Sequence, residues 1–154
     1  MTTKNQNKIL ATNKQAQKKY RRVDCFEAGI KLTGSEVKSA KAGRSSLDSA
    51  YVIIRGGEAF AINVQIPAWQ PHNQTIAHEV DRSKKLLLSK KELRELEQYD
   101  KKKGFAIILF SLYNKKGLIK AEICVSSNKS TRDKREEIKK RDTNRDLRRS
   151  IKYR

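Results

Sequence analysis

Acidic residues are scarce in this 154-residue chain, where 17 Asp and Glu stand against 36 Lys and Arg, a formal net charge of +19. An excess of that size suits a polyanion better than a small-molecule pocket. Long apolar runs are missing as well. The longest, FAIILF at 105–110, is far too short to cross a bilayer as a helix, and the polar amino-terminal residues do not read as a signal peptide. Neither cationic end carries the bulky apolar face with which an amphipathic helix lies on lipid, so no membrane partner and a cytoplasmic location are expected. Cysteine is limited to Cys25 and Cys124, in no C-x-x-C pair, and the expected compartment predicts two reduced core thiols. The two histidines, His72 and His78, lie in the polar stretch PHNQTIAHEVDRS with no cysteine nearby, the pattern of solvated surface residues rather than of a metal site. G-x-S-x-G, a Gly-rich phosphate loop and H-E-x-x-H are all absent, so no catalytic residue, metal or cofactor is expected.

The positive charge that is present sits at the two ends. Residues 1–22 carry seven basic and no acidic side chains and residues 129–154 twelve basic and five acidic, which leaves seventeen and twelve for the stretch between. This distribution predicts a basic arm at 1–18, a nearly balanced body at 19–126 and a basic tail at 127–154. In the tail, Ile138 and Leu147 are nine positions apart and fall on opposite sides of any helix at 100° per residue, so no apolar face exists to bury. Pairs such as Glu136 with Lys140 have the favoured acid-before-base spacing but contribute only ~0.2–0.5 kcal/mol each. The tail is therefore expected to be disordered when free and to become helical on its partner.

Between the ends the periodicity is that of short strands. SAYVIIRGGEAFAINVQI reads as a hairpin turning at Gly56-Gly57, and FAIILFSLYN with LIKAEICVS as a second one turning at Lys115-Lys116-Gly117. YRRVDCF and GIKL read as a further strand or bent pair, and KLLL at 85–88 as a short one. Helix starts are announced by two capping boxes: Thr33 with Glu36, stopped by Gly43, and Ser89 with Glu92, stopped by Gly104. A mainly β, OB-like antiparallel barrel with two or three small helices and a basic tail follows. Within it Glu27, in FEAGI, is a lone carboxylate among apolar neighbours. It is either a strand-end residue bonded to nearby amides or an acceptor for base and ribose groups, which phosphates would repel.

FEAGIKLTGSEVKSAKAG, DSAYVIIRGGEAF, KKLLLSKKEL, DKREEIKKRD and NKQAQKKY at 13–20 occur together in an order and spacing that resembles the SmpB family, the tmRNA-binding proteins of bacteria. The resemblance spans nearly the whole chain. It implies a non-enzymatic RNA-binding adaptor for ribosome rescue, with tmRNA, the ribosome and elongation factor Tu as partners and a monomeric state. It further implies RNA contacts at Asn13, Lys14, Glu27, Lys85 and Leu87, while the basic Lys38, Lys41, Arg44, Arg82 and Lys84 flank the matched blocks as candidate phosphate contacts or as a merely solvated face. The tail, with Asp133, Lys134, Arg135, Lys139, Lys140 and Arg141, would occupy the decoding centre and empty mRNA channel. The chain departs from the family pattern at SSNKST (126–131), where a glycine-lysine-rich joint is usual, and at Arg132, where an aromatic or histidine is common. A ribosomal or generic RNA-binding OB-fold protein is the alternative, and an RNA-processing enzyme a third possibility.

Overall fold

Seven strands and four helices form along residues 7–69, 80 and 82–152, which are the residues that the computed structural model describes. In chain order they are β1 (Lys8–Thr12), α1 (Lys14–Lys19), β2 (Tyr20–Ile30), α2 (Gly34–Lys41), β3 (Tyr51–Arg55), β4 (Glu58–Ile62), β5 (Lys84–Leu87), α3 (Lys90–Asp100), β6 (Phe105–Lys115), β7 (Leu118–Asn128) and α4 (Thr131–Lys152). All strand pairs are antiparallel. Hydrogen bonding runs β6-β3-β4-β5-β2-β7 and returns to β6, closing an OB-like barrel, with β1 added along the far half of β6. No helix among the described residues is long and apolar enough to cross a membrane.

Local chemistry accounts for the turns. The β3–β4 hairpin needs two left-handed residues in its two-residue loop, and Gly56 and Gly57 supply them at φ +60° and +74° without a Cβ penalty. Both capping boxes form: Thr33 accepts the Glu36 amide at 3.3 Å while Glu36 accepts the Thr33 amide at 2.8 Å, and Ser89 with Glu92 does the same at 3.3 and 2.9 Å. Alternation along β2, β6 and β7 then sends Ala28, Leu109, Leu112, Ala121, Ile123 and Val125 into the barrel, each fully buried. Helix α3 closes one end with Leu96, and Tyr99 packs edge-on to Phe105 at 5.7 Å.

Two features differ from the sequence reading. First, the body begins at Lys8 rather than at residue 19, because KILAT pairs with β6 and Ala16 of α1 packs on Ile108, Phe110 and Cys124. Five residues of alternation are too few to read as a strand without that partner. YRRVDCF and GIKL form a single strand, one of the two alternatives read from the sequence: the eleven-residue β2, whose bend is a bulge between Arg22 and Asp24. Second, Cys25 and Cys124 are not free thiols: they lie directly opposite each other on β2 and β7 and form a disulfide. The expectation of reduced cysteines rested on the compartment and on the absence of a C-x-x-C pair, and had no access to this register. Residues 131–152 are helical as α4, with the side chains of Ile138 and Leu147 more than half exposed. His72, His78 and the first six residues of the basic arm lie outside the described residues.

Candidate nucleic-acid interface

Cross-strand register assembles the site. Over four neighbouring strands, β5, β2, β7 and β6, it aligns Leu87, Gly29, Lys120 and Tyr113 in one row, and Glu27, Glu122 and Ser111 in the row beside it. Residues two apart face the same side of a strand, so both rows share the outer surface, while the intervening Ala28, Ala121 and Leu112 face the core. Leu87 is 56% exposed, although its sequence context is that of a core residue. Gly29 leaves room for it: a Cβ at position 29 would approach the Leu87 Cβ to 3.2 Å. A bare glycine beside an exposed leucine makes a shallow apolar step between Glu27 and Lys120, suited to the face of a ribose or an unstacked base.

Glu27 is held by side chains, not by the amides that one sequence reading expected. The Tyr113 hydroxyl donates to Oε2 at 2.5 Å, and the Lys115 ammonium donates to both oxygens at 3.0 Å. The Tyr113 hydrogen bond, and after it that of Lys115, keeps the Glu27 carboxyl below the usual carboxylate range. Burial and the neighbouring Glu27 push the Tyr113 hydroxyl up. A carboxylate offers about four lone-pair sites, of which these donors take three, so acceptor capacity remains for a 2′-hydroxyl or a base amino group. Replacing Tyr113 by Phe removes one neutral donor and is expected to weaken RNA binding about 2- to 13-fold, about 0.5–1.5 kcal/mol, measured by filter binding. Tyr113 and Lys120 were not singled out from sequence and Lys115 was read only as a turn residue, although it ends β6; only the pairing of β6, β7 and β2 brings them to Glu27.

Two cations border this patch, and others are exposed elsewhere on the fold. Lys85 donates to Glu58 at 2.7 Å, and Arg22 donates to Glu122 at 2.9 Å while its guanidinium lies 4.3 Å from the centre of the Phe110 ring. On and just after α2, Lys38, Lys41 and Arg44 are exposed; Lys41 donates to the Gly117 carbonyl, and Arg44 stacks 4.7 Å from the Trp69 ring centre. Lys14 is exposed on α1.

Three of the residues expected at an RNA contact are occupied within the fold. Lys84 is fully buried, its ammonium donating to the carbonyls of Val64 at 2.7 Å and Arg82 at 2.9 Å, because its place on β5 points inward. Arg82 donates through Nε and Nη2 to the buried Glu36 at 3.0 and 2.6 Å. Asn13 is buried too: its Oδ1 caps α1 by accepting from Ala16, and its Nδ2 donates to the Leu109 carbonyl. Asn13 and Lys84 are thus both buried and hydrogen-bonded beneath the surface in the protein alone.

The tail starts from a third capping box, unrecognised in the sequence: Asp133 accepts from the Ser130 amide at 3.2 Å and donates its own amide to Ser130 Oγ at 3.1 Å. Hydrogen bonding from Ser130 holds the Asp133 carboxyl below its usual range. Lys134, Arg135, Lys139, Lys140 and Arg141 follow, all exposed.

A closed antiparallel barrel with a cationic outer face, a preset carboxylate and a projecting basic helix defines an OB-like protein of the RNA-binding class. The family model for SmpB protein matches residues 10–153, and the chain belongs to the SmpB family. It is 40% identical to the SsrA-binding protein of Nostoc punctiforme over 153 residues, 99% of each chain. The SsrA-binding protein of Zymomonas mobilis is 41% identical over 140 residues, 90% of this chain and 87% of that one. Among solved structures, a chain described under "tmRNA-SmpB: a journey to the center of the bacterial ribosome" superposes with a TM-score of 0.65 at 29% identity, covering 78% of this chain and 84% of that chain.

Proposed function

We propose that this protein is an RNA-binding adaptor of trans-translation, which binds the tRNA-like domain of tmRNA and brings it to stalled ribosomes. The observation that carries the reading is the aligned surface of Leu87, Gly29, Lys120 and Tyr113 beside Glu27, in a chain of this family. Glu27 and Leu87 read ribose or base groups there, while Lys85, Lys38, Lys41 and Arg44 hold phosphates. The protein acts as a cytoplasmic monomer without catalytic chemistry of its own, and elongation factor Tu joins the delivery complex. Asp133, Lys134, Arg135, Lys139, Lys140 and Arg141 belong to the tail, which enters the decoding site and the empty mRNA channel. Beyond its first turns the tail exchanges with disordered chain in the free protein and settles as a helix against ribosomal RNA.

Sequencing the RNA that copurifies with the protein tests the assignment. A single species with a tRNA-like part and a message-like part supports it, whereas ribosomal fragments alone indicate a generic OB protein. A salt titration tests the electrostatics. Each neutralised phosphate contributes ~0.7–0.9 to the slope of log affinity against log salt, so several contacts predict a steep decline and a slope near zero refutes them.

A further inference from the structure

We propose that Lys129 is a clasp that sets the direction in which α4 leaves the barrel. Its side chain is only 10% exposed, uncommon for a lysine in a basic joint. The ammonium donates to the Gln17 carbonyl of α1 at 2.8 Å and to the Glu137 carboxylate of α4 at 2.6 Å. Its backbone amide donates to the Lys19 carbonyl at 3.0 Å. One residue thus ties the end of α1, the end of β7 and the second turn of α4 to a single point.

Position makes the contacts effective. The last carbonyls of a helix lack intrahelical partners and carry partial negative charge, so a cation at the end of α1 is favoured there. A free surface ion pair with Glu137 would contribute little. Here the ammonium is nearly enclosed, and losing it leaves the Gln17 carbonyl without that donor. Only Ser130 separates Lys129 from α4, and the Ser130–Asp133 capping box closes the first turn, so little backbone freedom remains between clasp and helix. Apolar packing does not do this job, since Ile138, Leu147 and Ile151 are all more than half exposed. With the angle set, Lys14 and Lys18 of α1 and Lys134 and Arg141 of α4 line one groove of about 680 Å³. The joint thereby exchanges the flexibility of a glycine-rich segment for a defined exit.

The test uses the full-length protein free in solution and needs no RNA, so its outcome is independent of the tmRNA assignment. Backbone ¹⁵N relaxation is measured for the wild type, Lys129→Ala, Glu137→Ala and the double variant. In the wild type, residues 132–138 are expected to have order parameters near those of rigid backbone, about 0.85, falling below about 0.6 in Lys129→Ala. Amides of β6 and β7 should not change, which reports an intact barrel. Glu137→Ala, which cuts only the contact to α4, should loosen the same residues, and the double variant should be no looser than Lys129→Ala. The clasp is overturned if residues 132–138 are already mobile in the wild type, if they stay rigid in Lys129→Ala, or if the two single changes simply add. Should Lys129→Ala disturb the barrel amides, Glu137→Ala decides alone: rigid residues 132–138 in that variant overturn the proposal.

Discussion

Truncation after Ser130 is expected to abolish tagging on stalled ribosomes while leaving tmRNA affinity within about two-fold, the margin within which distant and independent sites behave additively. The interface rows lie on β5, β2, β7 and β6, and neither hydrophobic cluster contains a residue of α4. Removing α4 therefore costs the barrel no core. It does remove Lys134, Arg135, Lys139, Lys140 and Arg141, the cations proposed for the decoding site and mRNA channel. Lys139→Pro asks separately whether helix is needed. Proline inside a helix costs ~3 kcal/mol or more but is nearly neutral in an extended chain, and Lys139→Ala controls for the lost charge. Tagging by Lys139→Pro should fall well below that of Lys139→Ala. Equal rates would leave charge without helicity, and loss of tmRNA binding on truncation would refute the division of labour between barrel and tail.

Glu27→Ala is expected to weaken tmRNA binding by about 10- to 150-fold, the ~1.5–3 kcal/mol of one charge-assisted hydrogen bond, with little change in the unfolding midpoint. The fold should tolerate it because the Glu27–Lys115 pair is exposed, with 39% and 41% of the two side chains accessible, and such pairs contribute ~0–1 kcal/mol. Binding measured by gel shift and stability measured by urea unfolding separate the two effects. Unchanged binding with lower stability would restrict Glu27 to its network with Tyr113 and Lys115. The pH dependence has a defined sign. Glu27's folded pKa is depressed, so its contribution is fully present above the ordinary value of 4.5 and is lost only as pH falls through its own lower value. Affinity should accordingly stay flat as pH falls from about 8 to about 5, as far as Glu27 determines it.

Elements whose causes are local were legible in the chain. A hydroxyl three residues before a carboxylate starts α2 and α3 wherever they finally pack, and two adjacent glycines make the β3–β4 turn by their own backbone freedom. The excess of cations at both ends, and with it the kind of partner, needs no structure at all. Tertiary structure decided whatever depends on which strand lies beside which. Lys84 and Lys85 are neighbours in sequence, yet one ammonium is buried against backbone carbonyls and the other meets Glu58 at the surface, because adjacent strand residues face opposite ways and only the register says which way is in. The same register joins Cys25 to Cys124 across 99 residues, sets Tyr113 and Lys115 on Glu27, and clears a space for Leu87 over Gly29. Lys129 belongs with these: in the chain it is one lysine among many, and it becomes a joint only where α1, β7 and α4 converge.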